Sequence, residues 1–177
     1  MKIRITPVNL VLLDADVIID LHKFGLWEQA TKKNTVYIAS TIIHYEAYYY
    51  TDEAGQKQYF DLIEQIGKTI QEVSATPDEI AQLKSKFSPA YLTLDEGESE
   101  SLAILLKEPD ITFCTCDKAA IIALALLDMQ NRVISLEAML KQSGLTSNKL
   151  EPKNSEELFK IHLKKANQMK IQGTGLK

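Results

Sequence analysis

Hydrophobic residues along this chain fall into short runs that switch between strand-like and helix-like spacing. Asn9–Leu13 is a compact apolar run suited to a buried strand. Asp16–Phe24 continues it at helical spacing and is stopped by Gly25, and Leu26–Ala30 adds a further helical turn. Thr35–Ala39, TVYIA, is β-branched and aromatic and predicts a strand. Ser40 or Thr41 is placed to cap a helix running to Tyr50. Tyr59, Phe60, Ile63 and Ile66 recur at helical spacing within Gln56–Ile66, and Thr69–Val73 predicts a short strand. At Thr76–Glu79, TPDE sets a Thr cap, a Pro at the first helical position and a Glu three residues after the cap, which predicts a helix start. Helices over Leu94–Lys107, Asp117–Asp128, Glu137–Gln142 and Ser155–Lys170 alternate with strands over Ile111–Thr115 and Arg132–Leu136. Strands alternating with helices predict an α/β fold of three layers, α/β/α, around a central parallel sheet.

At 177 residues, with 45% hydrophobic and 25% charged residues, the chain is long enough for one soluble domain with a real core. No apolar run approaches the roughly 20 residues of a membrane-spanning helix, so no membrane partner is expected. The opening MKIRITPVNL lacks the long apolar stretch of a signal peptide. Cys114 and Cys116 sit two apart in a predicted strand, where they point to opposite faces and cannot bridge. A reduced, cytoplasmic chain is expected.

Charge divides the chain unevenly. Residues 149–177 hold seven lysines against three glutamates, a local +4, so the net −4 leaves −8 on residues 1–148. The expected division is an acidic body, 1–148, and a basic C-terminal helix and tail, 149–177, packed on the same body or on a partner. Those lysines suit either a polyanion or a solvated helix face.

The acids of the body have a pattern. Asp14 ends the first strand, and Asp117 directly follows the ITFCTC strand. In a doubly wound sheet, sites form beyond the carboxyl ends of the strands, where strand order reverses. Glu46, one turn into the helix after the second strand, can lean over the same edge. LDEGESESLAIL gathers Asp95, Glu96, Glu98 and Glu100 at a helix start, where the dipole favours acids and part of the cluster is capping. Gly97 is expected to permit a tight turn between the caps and the helix proper. Acids without histidine or thiolate partners suit a hard cation, Mg²⁺ or Mn²⁺. His22, His44 and His162 show no zinc spacing. Asp20 is expected to be a solvated helix residue, and Tyr48–Tyr50 to pack, to meet a second subunit or to stack on unpaired bases.

Four stretches in order, LLDADVIID, STIIHYEAYY, LDEGESESLAILL and TCDKAAIIALA, resemble the acidic motifs of the PIN-domain nucleases, a family that includes VapC-type toxins. The resemblance spans Asn9 to Leu136. It implies a Rossmann-like catalytic body over 1–148 and metal ligation by Asp14, Asp117, Glu98 and Glu46. Asp16, where the family often has Asn, becomes an auxiliary group. Glu100 stands close behind Glu98 as the third acid, and Thr115 matches the hydroxyl residue two positions before the fourth. The activity implied is Mg²⁺- or Mn²⁺-dependent endoribonuclease cleavage. The implied partners are single-stranded RNA, an antitoxin protein and a second copy of the chain. Sequence between Gly55 and Leu92 and after Gly144 exceeds the compact toxins of the family. Two other readings share parts of the pattern. One is a PIN-like module that binds nucleic acid or regulates without cutting. The other is a phosphatase of the haloacid dehalogenase type, with Asp14 as nucleophile and Asp16 as general acid. TCDKAA places its lysine after the aspartate, against the order that second family needs.

Overall fold

The computed structural model describes residues 9–177, so the N-terminal stretch read for a leader lies almost wholly outside the described residues. Five parallel strands form the central sheet. They are β1 (Asn9–Leu13), β2 (Asn34–Ala39), β5 (Ile70–Val73), β6 (Thr112–Cys114) and β7 (Val133–Ile134), in the order β5-β2-β1-β6-β7. Helices α1 (Ala15–Lys23), α2 (Trp27–Lys33), α3 (Pro77–Ser85), α4 (Glu96–Lys107) and α5 (Lys118–Leu126) flank it. With helices packed against it, the parallel sheet forms the central layer of a three-layer α/β/α fold. Leu12, Leu13, Ile38 and Phe113 are fully buried in the sheet, so the strands are apolar on both faces, as a covered parallel sheet requires.

Strand order reverses between β2 and β6, the two neighbours of β1. The register there is Leu12 opposite Phe113 and Leu13 opposite Cys114, so Asp14 and Thr115 emerge side by side one residue further on. Each following helix is capped by a residue the sequence marks. Asp14 caps α1, Asp95 and Glu98 form a capping box on α4, Thr76 and Glu79 form one on α3, and Asp117 caps α5.

The segment after β2 departs from expectation. The helix predicted to reach Tyr50 is a short π-helical turn, Ile42–Glu46, closed by Ala47 N donating to Ile42 O at 3.0 Å. The predicted helix over Gln56–Ile66 is instead an antiparallel hairpin, β3 (Tyr49–Thr51) and β4 (Lys57–Tyr59), followed by a 3₁₀ turn at Ile63–Gln65. Local side-chain bonds overrule the apolar spacing. Asp52 Oδ1 accepts from the amides of Ala54 and Gln56 at 3.0 and 2.8 Å, and Asp61 Oδ1 accepts from Ile63 N at 2.8 Å. Gly55, at φ 78°, completes the hairpin turn. The hairpin is anchored by His22, whose ring stacks on Phe60 at 3.8 Å and on Trp27 at 4.6 Å. Strand β7 is shorter than predicted because Arg132 lies in a 3₁₀ turn, where its guanidinium donates to the carbonyls of Leu105, Glu108 and Ile111.

The C-terminal segment packs on this same body. Helix α6 (Leu136–Gln142) leads to a 3₁₀ turn at Pro152–Asn154 and to α7 (Glu156–Ile171), which lies along α5 and buries Ala166 and Met169. The last residues clip onto the loop after α3, with Ser88 N donating to Gly175 O and Lys177 N to Lys86 O, both at 2.9 Å. No described helix is long and apolar enough to cross a membrane.

Candidate metal centre

Asp14 is the first element of the site. Its position at the joint of β1 and α1 gives Oδ1 the amide of Ala15 at 2.8 Å, and Oδ2 accepts from the Thr115 hydroxyl at 2.5 Å. Thr115 Oγ1 in turn accepts from Asp117 N at 2.9 Å, so one hydroxyl ties the ends of β1 and β6 together. Asp14 is buried, and desolvation pushes its pKa from 3.8 up to about 7; the bonds from Thr115 and Ala15 oppose that rise, and the charges of Asp117 and Asp16 add to it.

Asp117 Oδ1 accepts from the amides of Ala119 and Ala120 at 2.6 and 3.0 Å. Glu98 comes from the first turn of α4, where Asp95 N donates to its Oε2 at 3.0 Å. Its carboxyl is buried and lies near enough to Asp117 to feel its charge. Desolvation first, and the facing Asp117 charge second, hold its pKa well above the usual carboxylate range. Two carboxylates so placed repel unless a proton or a cation lies between them.

Glu46 approaches from the π-helical turn. Gly97 N donates to its Oε1 at 3.1 Å. Gly97 lies within α4 and makes no tight turn; its bare Cα is what admits the Glu46 carboxylate. A Cβ there would stand 2.7 Å from Glu46 Oε1. Burial raises the Glu46 pKa, helped by Asp95, while the Gly97 bond lowers it.

Glu98 and Glu100 have separate surroundings. Glu100, buried, accepts from Thr41 N at 2.8 Å and from Ala75 N at 3.2 Å, which fastens the chain ends after β2 and β5. Glu98 faces Asp117 instead. Asp16, exposed on the first turn of α1, is turned toward Lys153 and Cys116. Asp20 corrects the expectation of a solvated residue. It is 3% exposed and accepts from Asn154 Nδ2 at 2.8 Å, with Lys153 Nζ at 3.1 Å. Lys153 and Asn154 are invisible to local pattern because their partner lies 133 and 134 residues away in the chain; the basic tail is the only signal.

The two thiols are free. Cys114 is fully buried in β6, and Cys116 lies at the rim, where burial pushes its pKa up to about 12. Both are therefore protonated thiols rather than thiolate ligands.

The donor set is all oxygen, and no cation of the chain is directed at Asp14, Glu98 or Asp117 among the described ion pairs. The set therefore fits a hard divalent cation in kind and in charge. Among the described residues, no three acidic, histidine or cysteine side chains stand at metal-ligand spacing. The carboxylates instead spend oxygens on amides and on Thr115. Comparison of the chain with protein-family models, with curated proteins and with solved structures finds no match.

Proposed function

We propose that the chain is a metal-dependent endoribonuclease of the PIN-domain kind. The observation that carries this reading is the meeting of Asp14, Thr115, Asp117 and Glu98 where strand order reverses, with buried acids that lack a cation of their own. A bound Mg²⁺ or Mn²⁺ would supply neutralisation of phosphoryl charge and a more acidic water. Asp14, Asp117 and Glu98 would hold it, with Glu46 orienting its waters from the π-helical turn. Thr115 fixes the Asp14 rotamer, and Glu100 fixes the loops that frame the cleft. The exposed lysines Lys118 and Lys165 near Asp117 suit a polyanionic nucleic-acid backbone, and RNA rather than DNA follows from the family resemblance.

The phosphatase reading needs Asp16 to act as general acid beside a free Asp14 oxygen. Asp16 is paired with Lys153, which does not favour that role. A toxin role and an antitoxin partner follow from the family resemblance alone.

The test is cleavage of a panel of labelled single-stranded RNAs with Mg²⁺ or Mn²⁺, and with chelator. Cutting that stops in chelator, and that Asp14→Asn, Glu46→Gln or Asp117→Asn each largely removes, supports the proposal. No cutting of any RNA with either metal contradicts it.

A further inference from the structure

The hairpin after the π-helical turn leaves its tyrosines in water. Tyr59 on β4 is 71% exposed, and Tyr48, directly before β3, is 49% exposed. Tyr49 and Tyr59 are partners across the hairpin, with ring centroids 5.8 Å apart at 48°, and the Tyr48 ring lies 5.1 Å from that of Tyr49 at 59°. The rings meet at a tilt rather than flat, so packing among themselves does not cover them. Tyr48 and Tyr59 line one cleft of about 440 Å³, together with buried Ile43, Ala47 and Leu62 and the exposed Asp61. Small-molecule clefts run from about 300 to 1,000 Å³, and contiguous apolar surface left exposed marks a contact site. Ala47 directly follows Glu46, so the cleft begins one residue from an acid of the candidate site.

The chemistry of the cleft selects its occupant. Two exposed tyrosine rings suit a flat partner, and every nucleobase offers a π face. Asp61 puts a carboxylate in the lining, and its Oδ1 is fixed by the amides of Ile63 and Glu64, which donate to it at 2.8 and 3.2 Å. A carboxylate repels a phosphate or an acidic side chain and accepts from the N–H edge of a base. The ring of a nucleotide is therefore admitted, and its phosphate is kept outside. A cation stands on the same aromatic cluster: Lys57 Nζ lies 4.3 Å from the Tyr49 ring centroid, and none of the described ion pairs engages it. A second copy of the chain docked symmetrically on this patch would set one Asp61 against another.

We propose that the cleft lined by Tyr48 and Tyr59 stacks an unpaired base of a single-stranded nucleic acid, while Lys57 meets an adjoining phosphate. This rests on the nucleic-acid part of the reading above and needs no metal. The rings give affinity with little preference among bases, because stacking uses the face that all bases share. A base inside a duplex has its faces covered by its neighbours, so the cleft selects against paired strands. The β3–β4 hairpin thereby becomes a substrate-binding element, placed directly after the turn that carries Glu46.

The test is fluorescence anisotropy of the full chain in chelator, with two labelled probes: a single-stranded RNA of mixed sequence and an abasic ribose–phosphate strand of the same length. Wild type should bind the RNA at least about fivefold tighter than the abasic strand, the factor that one base–aromatic stack supplies. Tyr59→Leu keeps apolar bulk without a π face. It should lose most of that difference and leave abasic binding within about twofold, whereas Tyr59→Phe should stay within about twofold of wild type on both probes. Lys57→Gln should weaken both probes alike, since both carry the phosphates. Equal binding of the two probes by wild type overturns the inference. So does a Tyr59→Leu protein that keeps the full difference, or a Lys57→Gln protein that binds both probes as wild type does. A wild-type dimer that Tyr59→Leu turns into a monomer, seen by sedimentation, makes the patch a subunit interface and also overturns it. A wild type that binds neither probe contradicts the nucleic-acid reading itself and this inference with it. A wild type that binds both probes equally leaves that reading standing and removes the inference alone.

Discussion

The Thr115 hydroxyl donates to Asp14 Oδ2 at 2.5 Å while accepting from Asp117 N, so a single side chain joins the two acids that end β1 and β6. Buried Asp14 and half-buried Asp117 both depend on it. Thr115→Val keeps the shape and removes both bonds, at a cost of about 1–3 kcal/mol. The sign with pH follows from Asp14. Its folded pKa of about 7 lies above its ordinary 3.8, so in the metal-free protein stability falls as pH rises through that window. Thr115 favours the ionised form, and losing it raises the folded pKa further. The deficit of Thr115→Val against wild type should therefore grow between pH 5 and pH 8 in chelator, as measured by urea unfolding. Thr115→Ser should restore most of it. A deficit that is the same at both pH values contradicts the role given to the hydroxyl.

Gly97 and Glu46 make a second prediction. A Cβ on residue 97 would occupy the Glu46 carboxylate's place, and that carboxylate is the far end of a flexible chain, so it can swing away. Gly97→Ala should thus unfold little, since Ala favours a helix interior by about 1 kcal/mol over Gly. It should nonetheless lower RNA cleavage about as far as Glu46→Gln does. Melting curves and cleavage rates on the same preparations check this. A Gly97→Ala protein with full activity would remove Glu46 from the machinery.

The basic side of the site gives a third. Lys118 opens α5 directly after Asp117, and Lys165 on α7 lies close enough for the two ammoniums to hold the Lys165 pKa below its ordinary value. Removing residues 151–177 would strip Ala166 and Met169 from the core, so truncation cannot isolate a charge effect. The pair Lys118→Ala and Lys165→Ala can. RNA affinity should fall, and the slope of log K against log salt should shrink by about 0.7 for each single-strand phosphate that a lysine no longer neutralises. Filter binding at several salt concentrations measures it, with the metal site disabled by Asp117→Asn to prevent cutting. An unchanged slope would return both lysines to the solvated surface.

Much of this fold can be read in the chain because its signals are local. Apolar runs mark the five strands of the sheet, TPDE marks a capping box that the structure contains, and the acids of LDEGE mark a helix start that the structure closes with a second one. Asp14 and Asp117 can be placed because they cap helices directly after paired strands. The segment from Thr41 to Ile66 misleads because Asp52 and Asp61 offer the backbone bonds that a helix would otherwise supply. Gly97 reads as a turn because bare spacing cannot reveal a close approach by Glu46, 51 residues away. Glu98 and Glu100 look alike in sequence. Only the amides of Thr41 and Ala75, which belong to other elements, set them apart. The bonds of Lys153 and Asn154 to Asp20 are illegible for the same reason, as long-range partners that no local pattern announces.

The central claim is that the acids at the strand ends form a cation site and are not caps alone. A pair of carboxylates about 6 Å apart at an effective dielectric near 20 repels by roughly 3 kcal/mol before proton uptake relieves it. Melting of wild type and Asp14→Asn, each in chelator and in excess Mg²⁺, tests this most directly. In chelator at pH 8, Asp14→Asn should melt above wild type, by roughly 2–4 °C for each 1 kcal/mol of relieved strain. Mg²⁺ should raise the wild-type melting temperature, because it binds the assembled site, and should raise that of the variant much less. If Asp14→Asn is clearly less stable than wild type in chelator, and Mg²⁺ shifts both equally, Asp14 is a structural cap and the metal centre is not there.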